Sequence, residues 1–253
     1  MTERFFNRHE FKYIISEETA AAVLASIQPH MKRDRHTNEE AHYRISSLYF
    51  DTPENLFHEE YLREEQFRQK LRLRVYNQPT LLDPCFFEIK KKFRGYVSKR
   101  RARLTLGAAS AWLEDRMSLE ALSEAFPLEA PVLREIHFLR QHYGLDRRVV
   151  ISYLRQAFVG IFDETLRVTM DRQLKKRTTD LRLHHSAGRG TADSLYLPTD
   201  RVVLEIKSSG AIPLWLAQTL SRLACRKQAF SKYSTSYNPP EVNDSVETDR
   251  RHA

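Results

Sequence analysis

The stretch QKLRLRVY, residues 69–76, alternates basic and apolar side chains. Residues two apart in a β-strand lie on the same face of a sheet, so Arg72 and Arg74 share one face while the leucines and the valine share the other. The stretch therefore predicts a strand with one basic and one apolar face. The apolar face suits a core, and the basic face needs a different partner.

Charged residues two apart recur in strand-like segments along the whole chain. The further pairs are Glu10 and Lys12, Glu88 and Lys90, Lys99 and Arg101 or Arg101 and Arg103, Tyr153 and Arg155, and Glu205 and Lys207. Arg167 and Asp171, four apart, also share a face. Residues between them are mostly apolar, and short turn sequences separate several segments. This pattern indicates an antiparallel sheet with one charged face.

Helical patterns interrupt these strands. Ser16 is placed to cap an alanine-rich helix, an apolar stripe predicts a helical insertion at about 108–142, and a last amphipathic helix is expected at about 213–226. The predicted fold class is α+β, an antiparallel β-barrel with helices packed outside. We expect a single domain at 1–238 and a disordered tail at 239–253.

The charged face allows two interpretations. An open sheet could leave this face in water, but such faces usually carry threonine, serine and lysine, whereas this one combines arginine and lysine with glutamate. A closed sheet would point the cations inward, which is costly without compensating anions. The lumen would then hold water and a polyanion, with Glu205, Glu88 and Glu10 as candidate ligands of Mg²⁺ or Mn²⁺. Glu88 and Glu10 could equally be ion-pair partners that separate the cations.

The amino-acid composition restricts the possible functions less than the alternation of charged and apolar residues does. The 253 residues are 41% hydrophobic with a net charge of +8, which suits a globular protein with an anionic partner of any class. We do not expect a nucleic-acid partner, because the aromatic residues mostly fall on the apolar strand faces. No apolar run reaches the roughly 18 residues of a transmembrane segment, and the N-terminus lacks a signal-peptide pattern, so a cytoplasmic location is expected.

Eight short motifs, in order, resemble one known family. They are Glu10-Phe-Lys12-Tyr13, Leu48-Tyr-Phe-Asp51, Leu71-Arg-Leu-Arg74, Phe87-Glu-Ile-Lys90, Tyr153-Leu-Arg155, Arg167-Val-Thr-Met-Asp171, Leu204-Glu-Ile-Lys207 and Phe230-Ser-Lys232-Tyr233. Together they resemble the VTC domain of the triphosphate tunnel metalloenzymes, in the CYTH-like superfamily. The resemblance covers most of the chain and implies an eight-stranded antiparallel tunnel.

For the VTC branch, the resemblance also implies synthesis of inorganic polyphosphate from ATP with Mn²⁺ or Mg²⁺. Triphosphate and phosphate are the other expected ligands. The residues that would grip phosphates are Lys12, Arg72, Arg74, Lys90, Arg155, Arg167, Lys207 and Lys232, with Lys99 or Arg101. Tyr153 and Ser231 would hydrogen-bond phosphate oxygens. The residues expected to act in catalysis are Arg72, Arg74, Lys90, Arg155, Arg167, Lys207 and the metal ligand Glu205.

Two positions depart from the family pattern. The hydrolase branch begins with Glu-x-Glu-x-Lys, and here Arg8 replaces the first glutamate, which favours transfer over hydrolysis. The fungal members carry a lysine where this chain has Ala229, so Lys227 or Arg226 would have to replace it. A tripolyphosphatase or nucleoside triphosphatase, and a non-catalytic polyphosphate or inositol-phosphate binding module, are therefore the competing predictions.

Overall fold

The computed structural model describes residues 9–34, 42–184 and 193–238. Arg8 and the predicted tail at 239–253 lie outside this part. The strands are β1 (His9–Ser16), β2 (Met31–Arg33), β3 (Tyr43–Asp51), β4 (Phe67–Tyr76), β5 (Pro84–Phe93), β6 (Tyr96–Thr105), β7 (Asp146–Gly160), β8 (Arg167–Arg177), β9 (Ser194–Leu195) and β10 (Arg201–Ser208). The helices are α1 (Glu17–Ile27), α2 (Leu56–Leu62), α3 (Leu106–Leu113), α4 (Leu119–Ala125), α5 (Ala130–Tyr143), α6 (Leu214–Arg222) and α7 (Lys232–Tyr237).

Eight of the strands form one continuous antiparallel path in the order β1-β10-β8-β7-β3-β4-β5-β6. The short strands β2 and β9 pair with β7 and β8 beside this path. The predicted α+β class is confirmed, with helices packed on the sheet. Apart from these two additions, the path has the eight strands that were expected.

The predicted closure of the barrel requires a correction. Within the described residues, no backbone pairing joins β1 to β6, so the sheet is curled rather than closed by hydrogen bonds. Lys99, Arg101 and Arg103 on β6 are charged, which is typical of an unpaired edge strand. An ion pair of 3.8 Å between Lys90 on β5 and Glu10 on β1 nevertheless spans the gap. The charged face therefore lies on the concave, inner side of the curled sheet and not on a flat surface in water.

Two hydrophobic clusters cover the outer face of the sheet. One joins β4, β5 and β6 to α3, α4 and α5, with Phe87 and Leu133 buried in its middle. The other joins β1, β8 and β10 to α1 and α6, with Val23 and Leu216 buried. Ser16 caps α1 as expected, since its Oγ accepts a hydrogen bond from the Thr19 amide at 3.1 Å. None of the helices in the described part of the chain is long and apolar enough to cross a membrane.

A third cluster fills part of the inner, charged face. It includes Tyr49 on β3, Ile151 and Tyr153 on β7, Phe230, and Tyr233 on α7. Tyr153 was expected on this face, but we expected most other aromatic residues on the outer, apolar face, and for Tyr49 and Tyr233 that expectation was wrong. The interior is thus divided into a charged part and an aromatic part, which limits the space that a ligand can use.

Candidate functional site

The charged side chains of the inner face form three carboxylate-centred groups. The first lies around Glu88 on β5, which pairs in register with Arg72 on β4 and Arg101 on β6. The Glu88 carboxylate lies 2.6 Å from Arg72, 3.9 Å from Arg74, 2.7 Å from Lys99 and 3.6 Å from Arg101. Both Lys99 and Arg101 therefore reach the inner face of the curled sheet, although the sequence left their register open.

Electrostatics fix the charge of Glu88. The side chain is only 2% exposed, and burial alone would raise its pKa. The positive charges of Arg72, Arg74 and Lys99 outweigh burial and lower the pKa of this carboxyl. Glu88 is therefore ionised and surrounded by cations, the arrangement expected of a residue that holds them apart in the absence of a ligand.

The second group contains two carboxylates, Glu10 on β1 and Glu205 on β10. Each is paired within its own strand, Glu10 with Lys12 at 2.8 Å and Glu205 with Lys207 at 2.5 Å. Lys12 lies opposite Glu205, and Glu10 lies opposite Lys207, so the four side chains alternate in charge across two strands. Lys90 approaches Glu10 from the far edge of the sheet.

Both carboxyls of this pair stay ionised. Burial raises the pKa of Glu205, but Lys207, Lys12, Lys232 and Arg155 together hold it well below the usual value. The pKa of Glu10 is also lowered, although burial and the neighbouring Glu205 oppose the shift. Two nearby ionised carboxylates thus face an otherwise basic interior.

The third group is built on Asp171 of β8, which is fully buried. Arg155 of β7 binds it with two hydrogen bonds of 2.6 and 2.7 Å, and Lys232 at the start of α7 lies 2.5 Å away. Tyr153 lies beneath both cations, 5.3 Å from Arg155 and 4.8 Å from Lys232 by ring centroid. Arg155 and Lys232 are therefore fixed in position before any ligand arrives.

Lys70 belongs to this inner face but was missed in the sequence. Its Nζ donates to the Oγ of Ser231 at 2.6 Å and lies 4.5 Å from the ring centroid of Tyr61. Burial, together with Lys12, Lys90 and Arg72, lowers the pKa of Lys70 to about 7. The signal was available, because Lys70 precedes Arg72 by two residues and so shares its face.

The remaining predicted positions divide between the interior and its rim. Arg74 donates to Ser47 at 3.3 Å and to the Tyr153 hydroxyl at 3.5 Å, and it is buried. The Ser231 Oγ accepts two hydrogen bonds, one from the Lys70 ammonium and one from the Ser234 amide, and the second of these caps α7. Arg167 lies at the rim, half-exposed and 3.9 Å from Asp34.

Lys227 does not replace the lysine that fungal members carry at the position of Ala229. The Lys227 ammonium lies 5.1 Å from the centroid of the Phe11 ring. Phe11 packs on the outer cluster, whereas its neighbour Lys12 faces inward. The cation nearest Ser231 is instead Lys70, which comes from β4. Asp171 and Tyr49, which accepts a 3.0 Å hydrogen bond from Arg72, are further inner-face residues that were not predicted as site residues.

The donor set suits a divalent cation of the Mg²⁺ type. Such ions are commonly held by one or two carboxylates while substrate phosphates and water complete the shell. Glu205 and Glu10 provide such a pair, and no group of three or more potential ligands occurs within residues 9–34, 42–184 and 193–238. Glu88 is less suited, since four cations surround its carboxylate.

Comparison with known proteins places the chain in a family. The family model of the VTC domain matches residues 7–239. The chain belongs to the VTC-domain family. The vacuolar transporter chaperone complex subunit 4 of Trypanosoma brucei brucei is 24% identical to it over 274 residues, covering 90% of this chain. This VTC domain corresponds to 34% of the trypanosomal subunit's length.

One solved structure with a TM-score above 0.5 supports the fold. HpAC1 from Hippeastrum, described as a putative adenylyl cyclase with a dominant triphosphatase activity, superposes with a TM-score of 0.53 at 14% identity. The alignment covers 92% of the VTC domain described here and 97% of that chain. A putative adenylate cyclase from Bacillus halodurans aligns with a TM-score of 0.47 at 13% identity, covering 90% and 94% of the two chains.

Proposed function

We propose that this VTC domain is a metal-dependent phosphotransferase that moves the γ-phosphate of ATP onto a growing inorganic polyphosphate chain. The observation that carries the proposal is the ionised pair Glu10 and Glu205 set within a basic interior. Family membership and the similarity to a vacuolar transporter chaperone subunit support the same reaction. ATP, polyphosphate, triphosphate and phosphate are the ligands that this proposal implies.

Phosphoryl transfer depends on positioning and charge neutralisation more than on a protein nucleophile. In the proposed reaction, a terminal oxygen of the acceptor chain attacks the γ-phosphorus in line. The new P–O bond forms as the bond to the β,γ-bridging oxygen breaks, and ADP leaves. Arg72, Arg74 and Arg155 would stabilise the charge spread over the transferring group. Their fixed positions on β4 and β7 supply the orientation.

The phosphates would bind along the inner face by displacing internal ion pairs. Five of the inner cations are paired with carboxylates in the structure: Lys12, Lys90, Lys99, Lys207 and Arg101. A polyphosphate would offer them many more anionic oxygens. Tyr153 and Ser231 would donate hydrogen bonds, with Lys232 at the same end and Arg167 at the rim. Mg²⁺ or Mn²⁺ on Glu205, with Glu10, would neutralise part of the phosphate charge. We assign Glu88 to spacing the cations.

Hydrolysis is the second candidate activity. The neighbour from Hippeastrum is described as having a dominant triphosphatase activity, and water could replace the chain as acceptor in the same site. A non-catalytic phosphate-binding module is the other alternative. The two reactions differ only in their acceptor, so the product distinguishes them.

The direct test is incubation of the protein with ATP and Mn²⁺, followed by gel separation of the products. A ladder of polyphosphate is the expected result. Orthophosphate without a ladder would instead establish a hydrolase. Tight binding of tripolyphosphate with no consumption of ATP would establish a binding module.

The variant Glu205→Gln tests the metal site. We expect it to lose metal-dependent turnover by two orders of magnitude or more, because a neutral amide binds a hard divalent cation far more weakly than a carboxylate does. Titration with Mn²⁺ followed by electron paramagnetic resonance should show weaker metal binding. Glu135→Gln, on the outer face, is the matched control. Full activity in Glu205→Gln would remove this residue from the metal site.

A further inference from the structure

A cavity of about 300 Å³ lies on the outer face of the sheet, opposite the tunnel. It is lined by residues of β3, β7 and β8 and by the segment 180–184. Val150, on one side, belongs to the cluster beneath α3, α4 and α5. Phe158, farther along β7, belongs to the cluster beneath α1 and α6. The cavity thus occupies the part of β7 between the two apolar layers.

Small hydroxyl side chains form the floor of this outer pocket. Ser46 on β3, Ser152 on β7 and Lys175 on β8 are successive partners in the cross-strand register. All three line the cavity. Because the two serines are short, the backbone surface between them is recessed. The Ser152 hydroxyl donates to the Asp193 carboxylate at 3.4 Å. An entering ligand therefore meets the Ser46 hydroxyl and the Lys175 ammonium, and would have to displace Asp193 from Ser152.

The walls are basic, and their charges are not balanced. Arg44, Lys175, Arg177 and Arg182 line the cavity, against the carboxylates of Asp180 and Asp193. Arg182 is bound to Asp180 at 2.6 and 2.8 Å. Arg177 lies 3.3 Å from Asp193. Within residues 9–34, 42–184 and 193–238, these two pairs leave Arg44 and Lys175 as the lining cations without an ion-pair partner.

Arg177 carries a second indication of a ligand. The residue is only 8% exposed, and its Nη2 donates to the carbonyl of Arg182 at 2.6 Å. Its Nε is buried without a hydrogen-bond partner among the residues that the structure describes. Buried polar atoms are rarely left unpaired in proteins, and each exception needs an explanation. Because this nitrogen has almost no accessible surface, a bound anion would supply the missing acceptor only once the guanidinium turns toward the cavity.

We propose that this outer pocket is a second anion site, which binds a phosphate group carried by a small ligand or free in solution. Arginine forks, an ammonium group and two serine hydroxyls are the donors suited to phosphate oxygens. The volume lies at the lower end of the range for small-molecule sites, which restricts the ligand to a compact one. The inference does not rest on the function proposed for the tunnel.

The first test uses the unmodified protein. Phosphate bound in the pocket should protect the Lys175 amine from acetylation, measured residue by residue by mass spectrometry. Saturating inorganic phosphate, pyrophosphate or a sugar phosphate should slow modification of Lys175 at least tenfold, and the most effective of the three indicates the source of the phosphate group. Exposed Lys32 should be unaffected. Absence of protection, or equal protection by citrate or by sodium chloride of matched ionic strength, would overturn the proposal.

The second test uses a variant that leaves the tunnel intact. The double substitution Arg44→Gln/Lys175→Gln should weaken binding of the protective anion at this site at least tenfold in calorimetry. The double substitution Arg134→Gln/Arg222→Gln removes the same net charge from exposed helix surfaces and should leave binding unchanged. If both variants bind alike, the pocket is not an anion site. Because the tunnel residues are untouched, failure here does not affect the proposed transferase reaction.

Discussion

At the scale of single residues, Lys70 is the position with the clearest pH-dependent role. It lies beside Lys12, Lys90 and Arg72, and burial together with these cations lowers its pKa to about 7. A phosphate chain beside it would favour the charged ammonium and raise that pKa again. Above pH 7, binding of the chain should therefore be coupled to uptake of a proton by Lys70.

We predict that Lys70→Met weakens binding of tripolyphosphate by roughly ten- to hundredfold at pH 6.5, the range expected for losing a hydrogen bond to a charged group. The loss should be smaller at pH 8.5, because there the wild-type lysine must first gain a proton. Calorimetry in buffers of different ionisation enthalpy measures both affinity and proton uptake. Lys91→Met, on the outer face of the same sheet, is the control. An equal loss at both pH values would contradict this role.

A substitution of Glu88 tests whether this carboxylate stabilises the fold by separating the four cations around it. We predict that Glu88→Gln lowers the free energy of unfolding at pH 7 by about 3–5 kcal/mol, because it leaves the buried Arg74 and the largely buried Arg72 without their shared counter-ion. The folded-state pKa of Glu88 is lowered, so its stabilisation is present above the ordinary carboxyl pKa and is lost as the pH falls. The difference between variant and wild type, measured by urea unfolding, should narrow from about pH 4 downward.

The control for Glu88 is Glu135→Gln. Glu135 also binds two cations, Lys91 at 2.8 Å and Arg100 at 2.6 Å, but on the outer face and with more solvent. Its loss should cost less stability. Equal effects of the two substitutions would show that the four-cation arrangement has no special role.

Most of the charged interior could be predicted from the sequence, because strand periodicity determines which residues share a face. Arg72, Arg74, Glu88 and Lys90 lie where the alternation placed them. Asp171 was not recognised as the anchor of Arg155, because that contact requires the pairing of β7 with β8, and a register shift occurs between Ser152 and Leu154. A bulge of this kind leaves no clear trace in the pattern of hydrophobic residues.

At the scale of elements, α7 determines what fills the aromatic part of the interior. The Tyr233 hydroxyl donates to the Asp51 carboxylate at 2.6 Å, and its ring stacks on Tyr49 at a centroid distance of 4.9 Å. Asp51 also accepts from the amides of Phe57 and His58 at the start of α2. One buried carboxylate therefore joins α7, α2 and β3.

We predict that Tyr233→Phe lowers the free energy of unfolding by about 1–3 kcal/mol, since one buried hydrogen bond to a charged group is lost while the ring is kept. Lys232 should become less well positioned, so we also expect a weaker affinity for tripolyphosphate. Chemical unfolding and calorimetry measure the two effects. Tyr237→Phe removes only a 3.4 Å contact with the Tyr233 hydroxyl and serves as the control. If both variants behave alike, Asp51 does not anchor α7.

The elements themselves were easier to predict than their arrangement. The helical stretch at about 108–142 and the eight strands of the main path follow from local periodicity, which is a property of neighbouring residues. The short strands β2 and β9 were not predicted. The gap between β1 and β6 and the burial of α7 depend on contacts between distant segments, such as Tyr233 with Asp51. Propensity carries no information about those contacts, so the aromatic part of the interior was not anticipated.

At the scale of the whole molecule, the chain has a net charge of +8, and the inner face carries many of its cations around a few carboxylates. We predict that tripolyphosphate at one hundred times its dissociation constant stabilises the fold by about 2.7 kcal/mol. For a protein of this size, that corresponds to a rise in Tm of roughly 5–10 °C. Differential scanning calorimetry at matched ionic strength measures the rise, and Arg44→Gln/Lys175→Gln should retain it because the tunnel is unchanged. An unchanged Tm in the wild type would show that the inner face is not a preformed phosphate site.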